Sequence, residues 1–434
     1  MRKVAVIGAG ITGIQAALDL SKHGIEVHLI EKEPYIGGHV AQLGRIFPTG
    51  DWSACILASK INEVLRAPGI TLHTMTEVTG LEGEPGNFTL HLRKHPRFVD
   101  IDKCTGCCTC SDVCPVELYN EFDAGLGVRK AIYKPYNEAA PIAAIRDSDH
   151  CINCNLCFDA CPNDAVLRND EDGIADLSIQ GICSVVVSTG YRMYDPRNEP
   201  RYRYLTMPDV ITSLEFERMI SPGGPTGGEV RRLSNGKIPK SIVFVQCVGS
   251  RNIAVGRNFC SAVCCMYTIK NAGLVKEKYG DSINVTILKA ETRAYGKDYQ
   301  EYNHRIKKTY EIKVLRCTPG SIEYGEGNRM RIVAEKVKKG FPETPIVVLE
   351  PELVVLAVGM APSKDVESIS RIMGLDRSSV DGFFCPNEQV LDPTGTPRPG
   401  IYIAGTAIAP KDINDCVNQA EAVSMKAFVD AYSD

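Results

Sequence analysis

The chain opens on a short apolar run, Lys3 to Gly8, followed by a helix-period pattern through about Lys22 and a second apolar run, Glu26 to Ile30. Apolar runs joined by an amphipathic stretch predict a strand, helix and strand with the strands buried side by side. Further strand-like segments lie at Thr89–Leu92, Gly181–Ser188, Lys240–Gln246 and Leu353–Pro362, and Gly80–Asn87 reads as turn-rich. Helical patterns cover Ser261–Lys276 and about Asp412–Asp430. Strands alternating with helices predict an α/β fold.

The first of these units carries Gly8-Ala9-Gly10-Ile11-Thr12-Gly13 between strand and helix. Gly8 permits the tight turn, Gly10 lets backbone amides approach a pyrophosphate, and Gly13 allows the helix to pack closely on the strand. The helix N-terminus then faces the phosphates with its partial positive charge. Glu31, ending the second strand, is placed to accept hydrogen bonds from a ribose, so the unit predicts dinucleotide binding. Lys32 to Gly38 resembles the loop that follows this carboxylate in two-domain flavoproteins, where a pair such as Gly37-Gly38 lies near the flavin, and this favours FAD over NAD. Two later strings, VVVSTGY with Thr189-Gly190 and LVVLAVGMAP with Gly359, resemble the strands at which such chains cross between domains. Gly400 to Thr406, continued by Lys411-Asp412-Ile413 into a helix, resembles the last FAD motif, with Gly405 and Thr406 at its turn. Thr406 replaces the usual acidic residue, so contacts there are expected through backbone amides and the helix dipole.

Composition narrows the classes. With 434 residues and 44% hydrophobic side chains, the chain is long enough for several cores. A formal charge of -4 gives no basic excess for nucleic acid or an anionic membrane surface. Its apolar runs fall short of the roughly 18 to 20 residues of a membrane span, and it opens on a strand rather than a signal peptide, so a cytoplasmic location is expected. Eighteen cysteines are many for such a location, where thiols stay reduced, and metal binding is their natural use.

Twelve of them are clustered. Cys104-x2-Cys107-x2-Cys110-x3-Cys114-Pro115 and Cys151-x2-Cys154-x2-Cys157-x3-Cys161-Pro162 repeat the bacterial ferredoxin motif. A tight loop wraps three thiolates around one cubane, and the fourth, expected at the start of a helix, reaches the cubane of the other copy. Cys104, Cys107, Cys110 and Cys161 are assigned to one [4Fe-4S] cluster, and Cys151, Cys154, Cys157 and Cys114 to the second. Zinc is the competing reading, but structural zinc sites seldom carry this spacing twice. Cys108 has no place in the scheme. A third group, Cys247, Cys260, Cys264 and Cys265, stands at a strand end and a helix start, where a second dinucleotide domain would carry its glycine loop. It reads as a third [4Fe-4S] site, with a redox dithiol or four separate buried thiols as alternatives. Cys55, Cys183, Cys317, Cys385 and Cys416 read as unassigned or buried thiols, and His150 and His304 as surface or structural residues.

Taken together, the sequence resembles the A subunits of heterodisulfide reductases (HdrA) and their relatives. The resemblance rests on GGHVAQLGRIFPTGDWSACILASKINEV, the inserted double ferredoxin motif, QCVGSR with CSAVCCMY, and GTAIAPKDINDCVNQA, and it covers nearly the whole chain. It implies a thioredoxin-reductase-like α/β flavoprotein with two Rossmann-like dinucleotide-binding-type domains and an inserted bacterial-type 2[4Fe-4S] ferredoxin domain. Residues 1–95, 171–200 and 356–434 are assigned to the FAD-binding domain, 96–170 to the insert, and 201–355 to the second Rossmann-like domain with its further [4Fe-4S] site. It implies that Cys247, Cys260, Cys264 and Cys265 bind a cluster of unusual ligand spacing, and that Lys270 lies close to the flavin, favouring its reduced anion. Trp52 stands near where the family usually has another cysteine, and the sequence stops at Asp434 where longer relatives continue into a further ferredoxin domain.

The implied function is an FAD and iron-sulfur electron-transfer subunit of a heterodisulfide-reductase-like complex, working by flavin-based electron bifurcation or confurcation. The implied partners are HdrB/HdrC-like redox subunits, a second copy of the chain and an electron-input subunit, with no nucleic acid and no direct membrane span. Rival readings are a quinone-linked subunit of sulfur metabolism and a stand-alone NAD(P)H-dependent iron-sulfur flavin oxidoreductase. The latter needs a second glycine-rich nucleotide loop, and residues 240–275 carry cysteines there instead.

Overall fold

The computed structural model describes residues 2–336 and 345–432. The chain divides into two compact units: residues 1–41, 54–191 and 362–434 form the first, and residues 42–53 and 192–361 the second. In the first, a seven-stranded sheet runs in the order Ile70–His73, Glu26–Ile30, Lys3–Ile7, Ala175–Val187, Asn87–Lys94, Thr76–Glu84, with Ile401–Ile403 also paired to Ala175–Val187. Lys3–Ile7 is parallel to both its neighbours and its apolar side chains are buried on both faces, as a central parallel strand requires. On one face the helices Ile11–Lys22 and Ile413–Tyr432 pack into a core with Ile14, Leu18, Ala420 and Val423; on the other, Phe88, Leu90 and Val185 meet the helix Val366–Met373.

Ala175–Val187 changes partner halfway. Its first half is antiparallel to Asn87–Lys94, its second half parallel to Lys3–Ile7 and Ile401–Ile403, and the register slips between Ile179 and Ile182, where Gly181 has a φ of +72°. Lys94 therefore pairs with Ala175, so the whole stretch between them is an insertion at the tip of a hairpin, with its ends side by side. Gly80 to Glu84, read from sequence as turn-rich, instead belongs to the strand Thr76–Glu84; the turn is confined to the residues before Asn87.

The second unit holds its own seven-stranded sheet, ordered Val210–Thr212, Leu353–Val358, Ser241–Val248, Asn284–Lys289, Lys313–Tyr324, Met330–Lys336, Ile346–Leu349. The first five are parallel and the last three form an antiparallel meander. Val243, Val245, Leu288 and Leu356 fill its core. No helix among the described residues is long and apolar enough to cross a membrane.

Candidate functional site

The glycine turn has the geometry of a dinucleotide cradle. A Cβ on Gly13 would sit 1.9 Å from the Gly8 carbonyl oxygen, so only glycine lets the helix start this close to the strand, whereas a Cβ on Gly10 would meet nothing within 4 Å. The Glu31 carboxylate accepts the Ala9 N–H at 2.7 Å and the Glu33 N–H at 3.0 Å. Burial pushes it up to about 7, with those two N–H groups opposing. The Gly37 N–H donates to the Ala9 carbonyl at 2.8 Å, which lays the loop after Glu31 along the turn. From the far end of the chain, Gly405 approaches so closely that a Cβ would lie 2.3 Å from the Thr12 hydroxyl, and its N–H donates to Gln419 at 3.0 Å. Lys411 donates to the same Gln419 oxygen, and Asp412 caps the helix beginning at Ile413 by accepting the Asp415 N–H. The Thr189 hydroxyl, next to Gly190, is buried without a hydrogen-bond partner, an orphan of the kind a bound cofactor satisfies.

So Gly8, Gly10, Ile11, Thr12, Gly13, Glu31, Gly37, Gly405 and Thr406 converge. Two expected residues are otherwise engaged. Lys32 forms an ion pair with Asp365. Gly359 belongs to the second unit, where a Cβ would strike the Ser261 hydroxyl at 2.4 Å and that of Ser250 at 2.8 Å.

The insert is a duplicated structure. Thr109–Asp112 and Leu156–Asp159 are single helical turns holding Cys110 and Cys157, each preceded by a residue in the left-handed region: Cys108 at φ +67° and Asn155 at φ +62°. Gly106 and Asn153 are left-handed at the matching earlier position. The fourth cysteines, Cys114 and Cys161, sit just past these turns, not at the start of a helix; Pro115 is followed by the strand Glu117–Tyr119. A hollow of about 420 Å³ is lined by Cys104, Cys107, Cys110 and, from the other copy, Cys161. A second of about 370 Å³ is lined by Cys151, Cys154, Cys157 and Cys114. N–H groups point at sulfur, from Ala165 to Cys161 at 3.3 Å and from Asn153 to Cys151 at 3.5 Å. Cys108 also borders the first hollow; its left-handed backbone is the position that Asn155 fills in the other copy. No three His, Cys, Asp or Glu side chains among the described residues converge to chelate a single metal ion. The thiols surround hollows, which suits a cubane, whose sulfur ligands stand apart around a four-iron core.

This insert touches the cradle loop. The Tyr136 hydroxyl donates to the Ile36 carbonyl at 3.0 Å, the Ile36 N–H donates to the Ala140 carbonyl at 3.0 Å, and Tyr35 meets Phe122 and Tyr136 edge-on while those two stack. None of these contacts is visible in the sequence; the aromatic spacing carries no periodic signal.

In the second unit, Cys247 lies at the end of its strand with φ +63°, and Cys264 and Cys265 open the helix Cys264–Tyr279. This helix starts later than its sequence pattern, because Ala262 at φ +62° turns the chain that carries Cys260. Each of the four thiols is close enough to feel the charge of the others, and burial pushes Cys264 well above the ordinary thiol value and raises Cys247 and Cys265. The Ala262 N–H donates to Cys260 and the Arg293 N–H to Cys265, each at 3.4 Å. Lys270 is 3% exposed. Its ammonium forms an ion pair with Glu217 and donates to the Arg45 carbonyl at 2.8 Å, while Glu217 accepts the Gly44 N–H at 3.3 Å. That network holds residues 42–53 in this unit. Of the remaining expected structural residues, His150 is exposed on Asp147 at 3.1 Å and His304 lies in the helix Tyr299–Thr309.

Comparison with known proteins agrees with this geometry. Residues 6–53 match the NAD(P)-binding Rossmann-like domain family and residues 103–166 the 4Fe-4S dicluster domain family. Over 426 residues the chain is 45% identical to an iron-sulfur A subunit of the CoB–CoM heterodisulfide reductase of Methanopyrus kandleri, covering 98% of this chain and 64% of that protein. It is 43% identical over 420 residues to the corresponding A subunit of Methanocaldococcus jannaschii (96% and 63% covered). It is 40% identical over 427 residues to the A subunit of the H2:CoB–CoM heterodisulfide,ferredoxin reductase of Methanothermobacter marburgensis (98% and 63%). The chain thus spans just under two thirds of the length of these relatives. The thioredoxin reductases of T. acidophilum and Lactococcus lactis share its fold at TM-score 0.54 each, with 13% and 14% identity, covering 100% and 99% of both chains. With a dinucleotide domain of Rossmann type, a 4Fe-4S domain and near-full-length similarity to these proteins, the chain belongs to the HdrA family, the iron-sulfur A subunits of heterodisulfide reductases.

Proposed function

We propose that this chain is an electron-transfer subunit of a heterodisulfide-reductase-like complex, holding FAD and three [4Fe-4S] clusters. The observation that carries it is the pair of hollows, each lined by three cysteines of one motif and one of the other, in the same compact unit as the Gly8–Gly13 turn. Bound FAD would supply the exchange between two-electron and one-electron chemistry. The chain's own residues do the rest. Backbone N–H groups at the helix starting with Ile11 face the pyrophosphate, and Glu31 accepts from a ribose hydroxyl. The start of the helix at Ile413 and the orphaned Thr189 hydroxyl serve the remainder of the dinucleotide. The Tyr35, Phe122 and Tyr136 cluster keeps water out of the junction between cradle and insert. Cys247, Cys260, Cys264 and Cys265 hold the third cluster, shielded by their burial.

HdrB/HdrC-like redox subunits, a second copy of this chain and an electron-input subunit are its partners in this reading. One relative's name joins a heterodisulfide and a ferredoxin in a single reaction, which supports bifurcation between two acceptors. The test is to mix anaerobically purified protein with NADH and with NADPH. The flavin absorbance stays unbleached by either without a partner subunit but is lost with dithionite. Rapid bleaching by a pyridine nucleotide would favour a self-contained NAD(P)H oxidoreductase and overturn the proposal.

A further inference from the structure

Two arginines are buried inside the insert, one beside each hollow. Arg97 and Arg146 are each 4% exposed. The Arg97 guanidinium donates to three neutral oxygens: the Pro34 carbonyl, the Ala144 carbonyl at 3.4 Å and the Thr74 hydroxyl at 3.3 Å. Ala144 lines the hollow of Cys104, and the charge of Cys104 acts on Arg97. Arg146 lines the hollow of Cys151 itself. Its guanidinium donates to the Asn169 side-chain oxygen, lies 4.2 Å over the Phe98 ring, and has a buried Nε with no partner. The nearby acids are already committed. Asp172 accepts the backbone N–H groups of Arg97 and Phe98, and Asp147 takes Arg129 and His150.

Guanidinium groups stay charged, and a buried charge is costly unless something of opposite sign compensates it. Each arginine here is satisfied as a donor but not as a charge. What faces each is a set of four thiols which, with a cubane bound, carries net negative charge that grows by one when an electron enters. A buried cation beside such a cluster favours the reduced form and does so with little screening.

Resting on the reading of the two hollows as cubane sites, we propose that Arg97 and Arg146 are internal counter-cations of the insert, Arg97 raising the reduction potential of the cluster at Cys104 and Arg146 that of the cluster at Cys151. They touch no reacting group; they set how readily each cluster accepts its electron. Arg97 has a second role, because its bond to the Pro34 carbonyl ties that cluster's wall to the loop after Glu31. The cluster at Cys104 is therefore the one mechanically joined to the cradle. Lys134 also lines its hollow but is half-buried, so solvent screens its charge.

The test is a potentiometric titration of the holoprotein followed by EPR, with dithionite as reductant. Arg97→Gln, which keeps a donor for the carbonyls, lowers one of the two insert waves by about tenfold in its reduction equilibrium, about 59 mV for one electron, and leaves the other in place. Arg146→Gln lowers the other wave. Arg97→Lys and Arg146→Lys restore most of each shift, and Lys134→Met moves neither wave by a comparable amount. Full iron content with unmoved waves would overturn the inference, as would each variant moving both waves alike or lysine failing to rescue. Wild-type protein without cubane signals would instead sink the underlying reading of the hollows.

Discussion

The insert and the second unit gather four thiols by opposite means. In the insert, three of each four come from one short loop whose left-handed residues fold it around a hollow, and Cys107 and Cys154 reach the surface. In the second unit, a strand end and a helix start bring the four together, and Cys264 and Cys265 are buried in the sheet–helix packing. The first arrangement is shaped by its cofactor; the second is shaped by a core that stands without one. Around the insert's hollows, the small apolar core of Val99, Ile132, Ala144 and Val166 is all the protein offers, and the cysteines themselves complete it. The second unit has a full sheet behind its thiols. Dependence on the clusters should therefore be uneven.

The largest expected effect follows directly. Removing the clusters anaerobically with a chelator leaves the amides of residues 99–166 exchanging quickly with solvent, while the strands Ser241–Val248 and Leu353–Val358 stay protected, as read by hydrogen-exchange mass spectrometry. Equal protection in both regions would erase the contrast. Next, Cys161→Ser loses about a third of the iron, and the loss falls on the hollow of Cys104 from the other copy. Cys264→Ser loses a similar share without loosening the insert. If Cys161→Ser emptied the hollow of Cys151 instead, the crossed arrangement would be wrong. A smaller effect belongs to the second unit alone. Lys270→Met leaves Glu217 buried and uncompensated and costs about 3–5 kcal/mol in denaturant unfolding, whereas Lys270→Met with Glu217→Leu recovers much of it. Were the single variant as stable as the parent, the pair would not hold residues 42–53.

The smallest effect lies in the cradle. Glu31 in the ligand-free fold titrates near 7, above its ordinary 4.5, so its protonated form is the one the fold favours. Its contribution to stability is complete below about 4.5 and is lost as pH rises through about 7. Thermal unfolding of flavin-free protein should show that decline, and Glu31→Gln should flatten it.

What could be read from sequence was local. The Gly8–Gly13 turn and the two cysteine motifs specify their geometry within a few residues, because spacing alone sets which backbone turns are allowed. The crossed sharing of Cys114 and Cys161 was legible for the same reason. Cys108 is explained by setting the two cysteine motifs side by side, where it matches Asn155 at a left-handed position. The capture of residues 42–53 by Lys270 and Glu217 was not legible, since it depends on side chains far apart in the chain. Nor was the role of Arg97 and Arg146, whose burial no pattern of apolar residues announces. Gly359 misled for a related reason: the glycine is required by the Ser250 and Ser261 hydroxyls, a packing need indistinguishable in sequence from a nucleotide contact.

Thiols from both units are expected to cage cubanes in a protein that also binds one flavin. The most direct measurement is iron, acid-labile sulfide and FAD analysis of anaerobically purified protein, with Mössbauer spectra of the iron. The expected result is about twelve irons and as many sulfides per FAD, all in four-iron clusters. Zinc in place of iron, or iron far below that ratio after full reconstitution, would contradict it.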